Sequence, residues 1–411
     1  MVWAGPDPER TRTRRTQGAR AERTQEGGAD PEGGADPGRS GPRAERTQSS
    51  LGRSGPRTEG GPRRTGPGVV WARRRRTGPE VVWPHIAEGL RAVASRKHSD
   101  DFLQRASAVV DSVYVTLPRP VFPGQTVMAT KRCIHGQFRL RPDPETVQAY
   151  LFVLGYAQEK YGILLHEFVA LSNHDHPVYT APEANGPQFI QMLHSLVARA
   201  LNCHWGEWDS FWSGQRHGSL RLLGPEDIEK RCIYALTNPV KDGLVRYAWD
   251  WEGVTSWHME YGVPITVKRP DFFFSKTMPD EVQVVISRPE ELFPGMSDRE
   301  ARGQLRRNAK VEQGDLIAKV KDRGGTFMGM KRVLRQPRHA TPSGHLKRRG
   351  IRPHVASRSK EARTEALRDL KKFWAEHEVA RQALLGGEDA TFPHGTYLMR
   401  VGYGRKVRPP P

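Results

Sequence analysis

The stretch LHEFVALSNHDHPVYTAP, residues 165–182, contains the pattern on which the fold prediction rests. Residues 163–171 form an apolar run that predicts a strand, and a short polar turn follows it. Residues 174–180 then predict a second strand, which returns beside the first. Because residues i and i+2 of a strand point to the same face, we expect His174 and His176 to lie side by side above the sheet.

The flanking sequence adds one strand and three helices to this hairpin. Polar and apolar side chains alternate at 125–132, as in a strand. In the three segments predicted to be helices, apolar side chains recur at helical spacing. The last helix is expected to end at Asn238, because Pro239 lacks the N–H that would continue it. The order strand, helix, strand, strand, helix, helix predicts an α+β domain, with a small antiparallel β-sheet covered by helices. The added segments are a strand at 125–132 and helices at 144–161, 187–202 and 225–238.

The chain has 411 residues and a formal net charge of +19, which favours polyanions as partners. Residues 1–83 repeat short Arg-, Gly- and Pro-rich units and predict a disordered basic tail, either a nucleic-acid tether or an extension ahead of the true start. Residues 84–116 are an unassigned linker or helix. The folded domain is expected at 117–262, and residues 263–411 are predicted to be a basic C-terminal extension with a helix near 361–385.

Cysteine usage and hydropathy exclude several classes of protein. The three cysteines have no CxxC spacing, which argues against a disulfide scaffold or a zinc ribbon and fits a reducing compartment. No run approaches the ~18–20 apolar residues of a membrane span, and the N-terminus has no apolar signal segment. We therefore expect an intracellular, soluble protein without a membrane partner.

Two pairs of residues suggest chemistry. His174 and His176 are candidate ligands of a divalent metal, since imidazole binds such ions well. Tyr234 and Asn238 are four residues apart on the last helix and so share a face, where a phenol could enter a cleft and an amide oxygen could complete the metal site. The same spacing also fits a structural interpretation: two strand histidines near a turn, a tyrosine at a helix edge and an asparagine that caps the helix.

Four cations near these elements are candidate DNA-phosphate contacts, and each is equally compatible with a solvated surface position. They are Lys131, Arg132, Lys241 and Arg246. An aromatic cluster follows the predicted helix at 187–202. We expect it to be part of the core rather than a platform for stacked bases. It comprises His204, Trp205, Trp208, Phe211 and Trp212.

In combination, four stretches resemble the REP-associated tyrosine transposases, a branch of the single-tyrosine HUH transposases. They are RPVFPGQTVMATKRCIHGQFRLRPDPE (119–145), LHEFVALSNHDHPVYTAP (165–182), FWSG (211–214) and YALTNPVKDGLV (234–245). The resemblance covers about a third of the chain, and the last stretch is its most specific part.

The resemblance implies a ferredoxin-like HUH palm that binds DNA and catalyses DNA transposition. Tyr234 would be the nucleophile, and His174, His176 and Asn238 would hold Mg²⁺ or Mn²⁺. Single-stranded or hairpin DNA, such as a REP-like palindrome, would be cleaved and rejoined through a 5′-phosphotyrosine intermediate. The implied setting is the bacterial cytoplasm, associated with the nucleoid, and the implied assembly is a monomer or a homodimer.

Two residues depart from the family's pattern. Asp175 stands between the histidines, where the family usually has a bulky and often apolar residue, and Pro177 removes a backbone donor just after them. A buried, unpaired carboxylate would be costly, so Asp175 must be exposed, paired or in a loosened strand. One alternative is therefore a catalytically impaired DNA- or RNA-binding protein that retains the fold. Another is a metal-dependent nuclease or phosphatase that uses water.

Overall fold

The computed structural model describes residues 117–342 and 353–410, so the predicted tail at 1–83 and linker at 84–116 lie outside the described residues. The strands are β1 (Gln125–Arg132), β2 (Leu164–Leu171), β3 (His174–Ala181), β4 (Gly218–Leu222), β5 (Ile265–Lys268), β6 (Glu281–Val284) and β7 (Val355–Ala356). The helices are α1 (Pro144–Tyr161), α2 (Gly186–Trp205), α3 (Pro225–Lys241), α4 (Asp298–Asp322), α5 (Met330–Arg335), α6 (Lys360–Leu385) and α7 (Tyr397–Val401).

Five strands form one sheet in the order β2-β3-β1-β4-β7. β3 pairs antiparallel with β1 and β2, β1 pairs antiparallel with β4, and β7 joins β4 in parallel. With α1 between β1 and β2 and α2 between β3 and β4, the first four strands have ferredoxin-like connectivity. The predicted α+β class is therefore confirmed.

Helices cover both faces of this sheet. Tyr150 of α1 and His194 of α2 bond to Asp175, whereas Tyr234 of α3 contacts its strand neighbour His176. Because adjacent residues of a strand point to opposite faces, α1 and α2 lie on one face and α3 lies on the other. α3 packs there against β2 and β3.

The end of α3 differs from the sequence prediction. The helix continues through Pro239 to Lys241 instead of ending at Asn238. Every residue from Ala235 to Val240 is buried, and Asp242 N–H donates to the Asn238 carbonyl at 3.0 Å. Burial of this last turn therefore outweighs the hydrogen bond that Pro239 cannot make, a tertiary effect that local sequence does not encode.

The core extends beyond the predicted domain boundary at residue 262. One cluster of buried apolar side chains runs from Met128 to Val333 and includes residues of β5, β6 and α4. The β5–β6 hairpin lies so close to α1 that a Cβ at Gly155 would stand 2.8 Å from the Gln283 carbonyl oxygen. Farther on, α6 lies where the sequence predicts a helix. No helix in the described ranges is long and apolar enough to cross a membrane.

The basic segment after residue 299 contributes an ion pair to the interior. Arg302 of α4 and Glu167 of β2 are both fully buried and bonded to each other. Arg302 also donates to the carbonyl of Met259 at 2.8 Å, and the hydroxyls of Ser256 and Tyr261 donate to Glu167. Burial opposes the charge of Arg302, but Glu167 outweighs it and raises the pKa of the guanidinium. The pair thus joins β2, residues 256–261 and α4.

We predict that Arg302→Met lowers the free energy of unfolding by about 3–5 kcal/mol, because it leaves the Glu167 carboxylate buried without its counter-charge. Urea unfolding followed by circular dichroism measures the loss. The double variant Glu167→Gln, Arg302→Met should recover part of it, since no buried charge then remains. A loss below about 1 kcal/mol in the single variant would contradict this account of the pair.

A second prediction concerns His166, which is buried in β2 and bonded to the Ser287 carbonyl and the Thr180 hydroxyl, each at 2.8 Å. Burial lowers the pKa of His166 to about 4. The unfolded chain therefore binds more protons between about pH 6.5 and pH 4, and stability falls as the pH is lowered through that window, by up to about 3 kcal/mol. His166→Gln should have a shallower dependence of the urea midpoint on pH. Identical slopes would show that His166 does not contribute.

Candidate active site

The histidine pair lies on β3, in the interior of the sheet between β1 and β2. The ring centroids of His174 and His176 are 4.8 Å apart, with the ring planes at 84°. The two-residue period of the strand therefore places both imidazoles on one face, as the sequence predicts.

Neighbouring side chains orient both rings. His176 Nδ1 is 2.8 Å from the Thr130 hydroxyl, and His174 Nδ1 is 2.6 Å from the Asn173 side-chain oxygen. Asn173 is itself held by a bond from its amide nitrogen to the Gly136 carbonyl. When Nδ1 is engaged in this way, Nε2 is the nitrogen left to bind a ligand. His176 Nε2 is buried and has no partner within the described residues.

Electrostatics favours the metal-binding form of these rings. Burial lowers the pKa of His176 well below its ordinary value, and the neighbouring His174 acts in the same direction. Burial also lowers the pKa of His174, and it outweighs the opposing charges of Asp242 and Asp175. Both imidazoles are therefore neutral near pH 7, the state in which the nitrogen lone pair is available to a metal.

Asp175 is fully buried and paired, one of the three arrangements that the sequence leaves open. Its carboxylate accepts from the Tyr150 hydroxyl at 2.8 Å, from His194 Nε2 at 2.9 Å and from the Lys131 backbone N–H at 3.0 Å. Burial alone would raise the pKa of Asp175, but His194 and Tyr150 outweigh it and hold the pKa below its ordinary value. The carboxylate thus stays ionised on the face opposite the histidine pair.

Pro177 is accommodated by a local break in pairing. The β1–β3 ladder includes the pairs Met128–Val178 and Lys131–Asp175 and is interrupted between them. Since proline has no backbone N–H, the break coincides with the bond that Pro177 cannot donate. Pairing with β1 resumes at Asp175, and pairing with β2 continues without a gap from Pro177 through His176 to His174, so the histidine pair remains on a paired strand.

Tyr234 projects from α3 toward the histidine pair. Its ring centroid is 5.3 Å from that of His176, and the two rings meet edge to face at 82°. Lys241 Nζ donates to the phenol oxygen at 3.1 Å and lies 4.2 Å from the ring centroid. The Arg231 guanidinium is 5.9 Å from the same ring. The phenol is therefore half-buried between the strand and cationic side chains.

Asn238 lies one helical turn beyond Tyr234 on α3 and is fully buried. Neither its amide oxygen nor its amide nitrogen has a hydrogen-bond partner in the described part of the chain. An unpaired buried amide is costly, which marks this position as one that a ligand would satisfy. Among the described residues no three His, Cys, Asp or Glu side chains cluster as metal ligands. The side chains that could supply ligand atoms to a divalent ion here are the two imidazoles and this amide.

The other candidate DNA contacts lie on both faces of the sheet. Lys131 is paired with Asp175 and so shares the face opposite the histidine pair, whereas Arg132 is paired with His174. Lys131 Nζ donates to the backbone carbonyls of Ser213 and Gln215, and Arg246 lies 5.3 Å from the ring centroid of Tyr247. Lys241 is the member of the group that reaches Tyr234 directly. No local pattern predicts the roles of Thr130 and Tyr150, because their partners are 46 and 25 residues away and meet them only through the fold.

The aromatic cluster after α2 is divided between interior and surface. Phe211 and Trp212 are buried in the core, and the Trp212 indole N–H donates to the His194 carbonyl at 2.7 Å. Trp208 is 99% exposed. The expectation of a core cluster is thus correct for Phe211 and Trp212 and wrong for Trp208, which follows the end of α2 and is exposed in the described part of the chain.

Comparisons with known proteins give one likeness. No protein-family model matches the chain, and no curated protein matches it. A solved structure of a REP-associated tyrosine transposase bound to a REP hairpin is similar over 34% of this chain and 82% of that one, at 19% identity and a TM-score of 0.30.

We predict that Mn²⁺ raises the thermal midpoint of the protein by at least about 2 °C, because the ion binds the folded site and not the unfolded chain. His176→Ala and Asn238→Leu should abolish this shift, measured by differential scanning fluorimetry. Asn238→Leu should also leave the metal-free midpoint unchanged or raised, since it removes an unpaired buried amide. His339→Ala, at an exposed position, serves as the control and should retain the shift. An unaltered Mn²⁺ shift in His176→Ala would exclude this ligand set.

Proposed function

We propose that the protein is a single-tyrosine DNA strand transferase of the transposase type, acting on single-stranded or hairpin DNA. The observation that supports the proposal is the Tyr234 phenol beside His176, with the Asn238 amide one turn farther along the same helix. Within the described residues, neither His176 Nε2 nor that amide has a hydrogen-bond partner. A nucleophile next to three unsatisfied or available ligand atoms suits attack on a phosphodiester.

His174, His176 and Asn238 would hold a divalent Mg²⁺ or Mn²⁺. Bound there, the ion would polarise the scissile phosphate and offset the negative charge of the transition state. The chain's own contribution is to hold the ligands rigidly: Nδ1 of each imidazole is fixed by a neighbour, and β3 is fixed by Asp175.

Tyr234 performs the covalent step. Its oxygen attacks phosphorus and loses its proton, the bond from phosphorus to the 3′ oxygen breaks, and that oxygen takes up a proton. The products are a 5′-phosphotyrosine and a free 3′-OH. Because the phosphoester is retained on the enzyme, a DNA 3′-OH can attack it in turn, which joins strands without hydrolysis or ATP.

Lys241 assists at the same oxygen. In the joining step the tyrosine oxygen departs with negative charge, and an ammonium group within hydrogen-bonding distance stabilises that charge. The chain's net charge of +19 favours DNA as the partner. A single-stranded or extruded substrate is required, because the scissile bond of a continuous duplex would not reach a half-buried phenol between strand and helix.

Two alternatives to a strand transferase differ from it in whether Tyr234 takes part in catalysis. A DNA- or RNA-binding protein without catalysis would keep the fold and charge, and a hydrolase would use water in place of Tyr234. The pairing of Asp175 favours the transferase over an impaired remnant, since the carboxylate between the histidines has its full set of donors.

We predict that wild-type protein, incubated with a labelled DNA hairpin carrying single-stranded flanks and Mn²⁺, forms a protein–DNA adduct that resists SDS. Tyr234→Phe should lower the adduct yield at least about 100-fold, because the attacking oxygen is lost. Tyr403→Phe, at an exposed tyrosine, is the matched control and should react as wild type does. Binding without adduct would favour the non-catalytic alternative, and cleavage that survives Tyr234→Phe would favour the hydrolase.

A further inference from the structure

A cavity lies outside the Tyr234 site. Its volume is about 450 Å³, within the ~300–1,000 Å³ typical of small-ligand pockets. It forms where residues 249–260, which follow α3, meet the helix α4. The lining residues are Trp249, Trp257, His258, Glu260, Arg306 and Lys310.

The cavity presents a partly formed stack of rings. Tyr247 and Trp249 lie parallel, with centroids 4.8 Å apart and planes at 4°. Trp257 is 5.8 Å from Trp249 at 47° and is itself buried. Trp249 is 37% exposed, so part of its ring remains accessible from solvent. Tyr247 covers one face of Trp249, and the flexible Lys310 side chain lies over the ring, so a planar group that displaces Lys310 can extend the stack.

The charge of the lining suits an anionic ligand with an aromatic part. Lys310 Nζ lies 5.5 Å from the Trp249 centroid, and Arg306 is paired with Glu260. Arg246 extends the positive charge beside Tyr247. Because Arg306 neutralises Glu260, the lining has a net positive charge, which a phosphate attached to a stacked base would complement.

Backbone bonds hold these rings in place before any ligand binds. Arg306 donates to the Trp257 carbonyl at 2.7 Å and to the Met259 carbonyl at 2.8 Å. The Ala248 N–H donates to the Gln313 side chain at 2.7 Å, next to Trp249. A rigid aromatic surface loses little conformational entropy on binding, which favours affinity.

The cavity is also tied to the helix that carries Tyr234. Asn308 of α4 donates to Glu229 of α3 at 2.6 Å, and α3 and α4 pack along each other. Residues 247–249 follow the C-terminal end of α3 after a short turn. A strand held in the cavity would therefore be held by the same body that presents the phenol.

We propose that this cavity binds an unpaired base of single-stranded DNA, stacked on Trp249, with Lys310 near its phosphate. The inference deepens the proposed function by assigning a place for the single-stranded flank of the substrate, and it rests on that function for the choice of DNA. Stacking on an aromatic side chain tolerates any base, so the site would anchor a strand without reading its sequence.

The test measures binding of the full chain to a fluorescein-labelled oligo-dT by anisotropy, without added metal. Trp249→Ala should weaken binding roughly 10-fold, and Trp249→Phe should retain most of the affinity, because a planar ring remains. Lys310→Gln should weaken binding and reduce the dependence of the affinity on salt by about one counterion. Trp208→Ala removes an exposed tryptophan outside the cavity and should bind as wild type does.

Equal affinities of Trp249→Ala and Trp208→Ala would overturn the proposal, as would a Trp249 dependence seen with oligo-U but not with oligo-dT. The Tyr234→Phe protein should show the same Trp249 dependence, so the two proposals fail separately. Adduct formation without Trp249-dependent binding removes only the stacking site. Trp249-dependent binding without an adduct removes only the transferase.

Discussion

The carboxylate of Asp175 is the constraint on which the candidate site depends. It lies between His174 and His176 in sequence and on the opposite face of the sheet, where α1, α2 and the β1 backbone each give it a donor. A buried carboxylate held at three points cannot move without exposing an unpaired charge. The strand is thereby fixed in register from behind, and the two imidazoles on its other side are fixed with it.

The features that could be predicted from the sequence are those encoded by local periodicity. The α+β class, the strand pair and the common face of the histidines follow from periods of two and 3.6 residues. The partners of Asp175 do not, because Tyr150 and His194 are 25 and 19 residues away and meet it only through tertiary packing. Glu167 and Arg302 are 135 residues apart, so the basic segment at 299–360 gave no sign that one of its arginines belongs to the interior.

One face of the sheet carries the side chains that stabilise β3, and the other carries the candidate catalytic groups. α1 and α2 supply the polar partners that stabilise β3, whereas α3 presents a phenol and an amide to the same strand. α4 supports α3 and forms one wall of the aromatic cavity. Support and candidate chemistry therefore occupy separate sides, and a substitution behind the sheet acts on the histidine pair through strand position rather than by contact.

The spacing of Tyr234 and Asn238 within one helix limits how this segment can vary. Each helical residue turns the chain by about 100°, so one residue inserted between them would carry the amide to a different side of the helix. In the proposed site, an insertion or deletion within these five positions would separate the phenol from the amide ligand. Substitutions in this segment would preserve the spacing of Tyr234 and Asn238. That spacing of four residues can therefore guide the alignment of distantly related sequences.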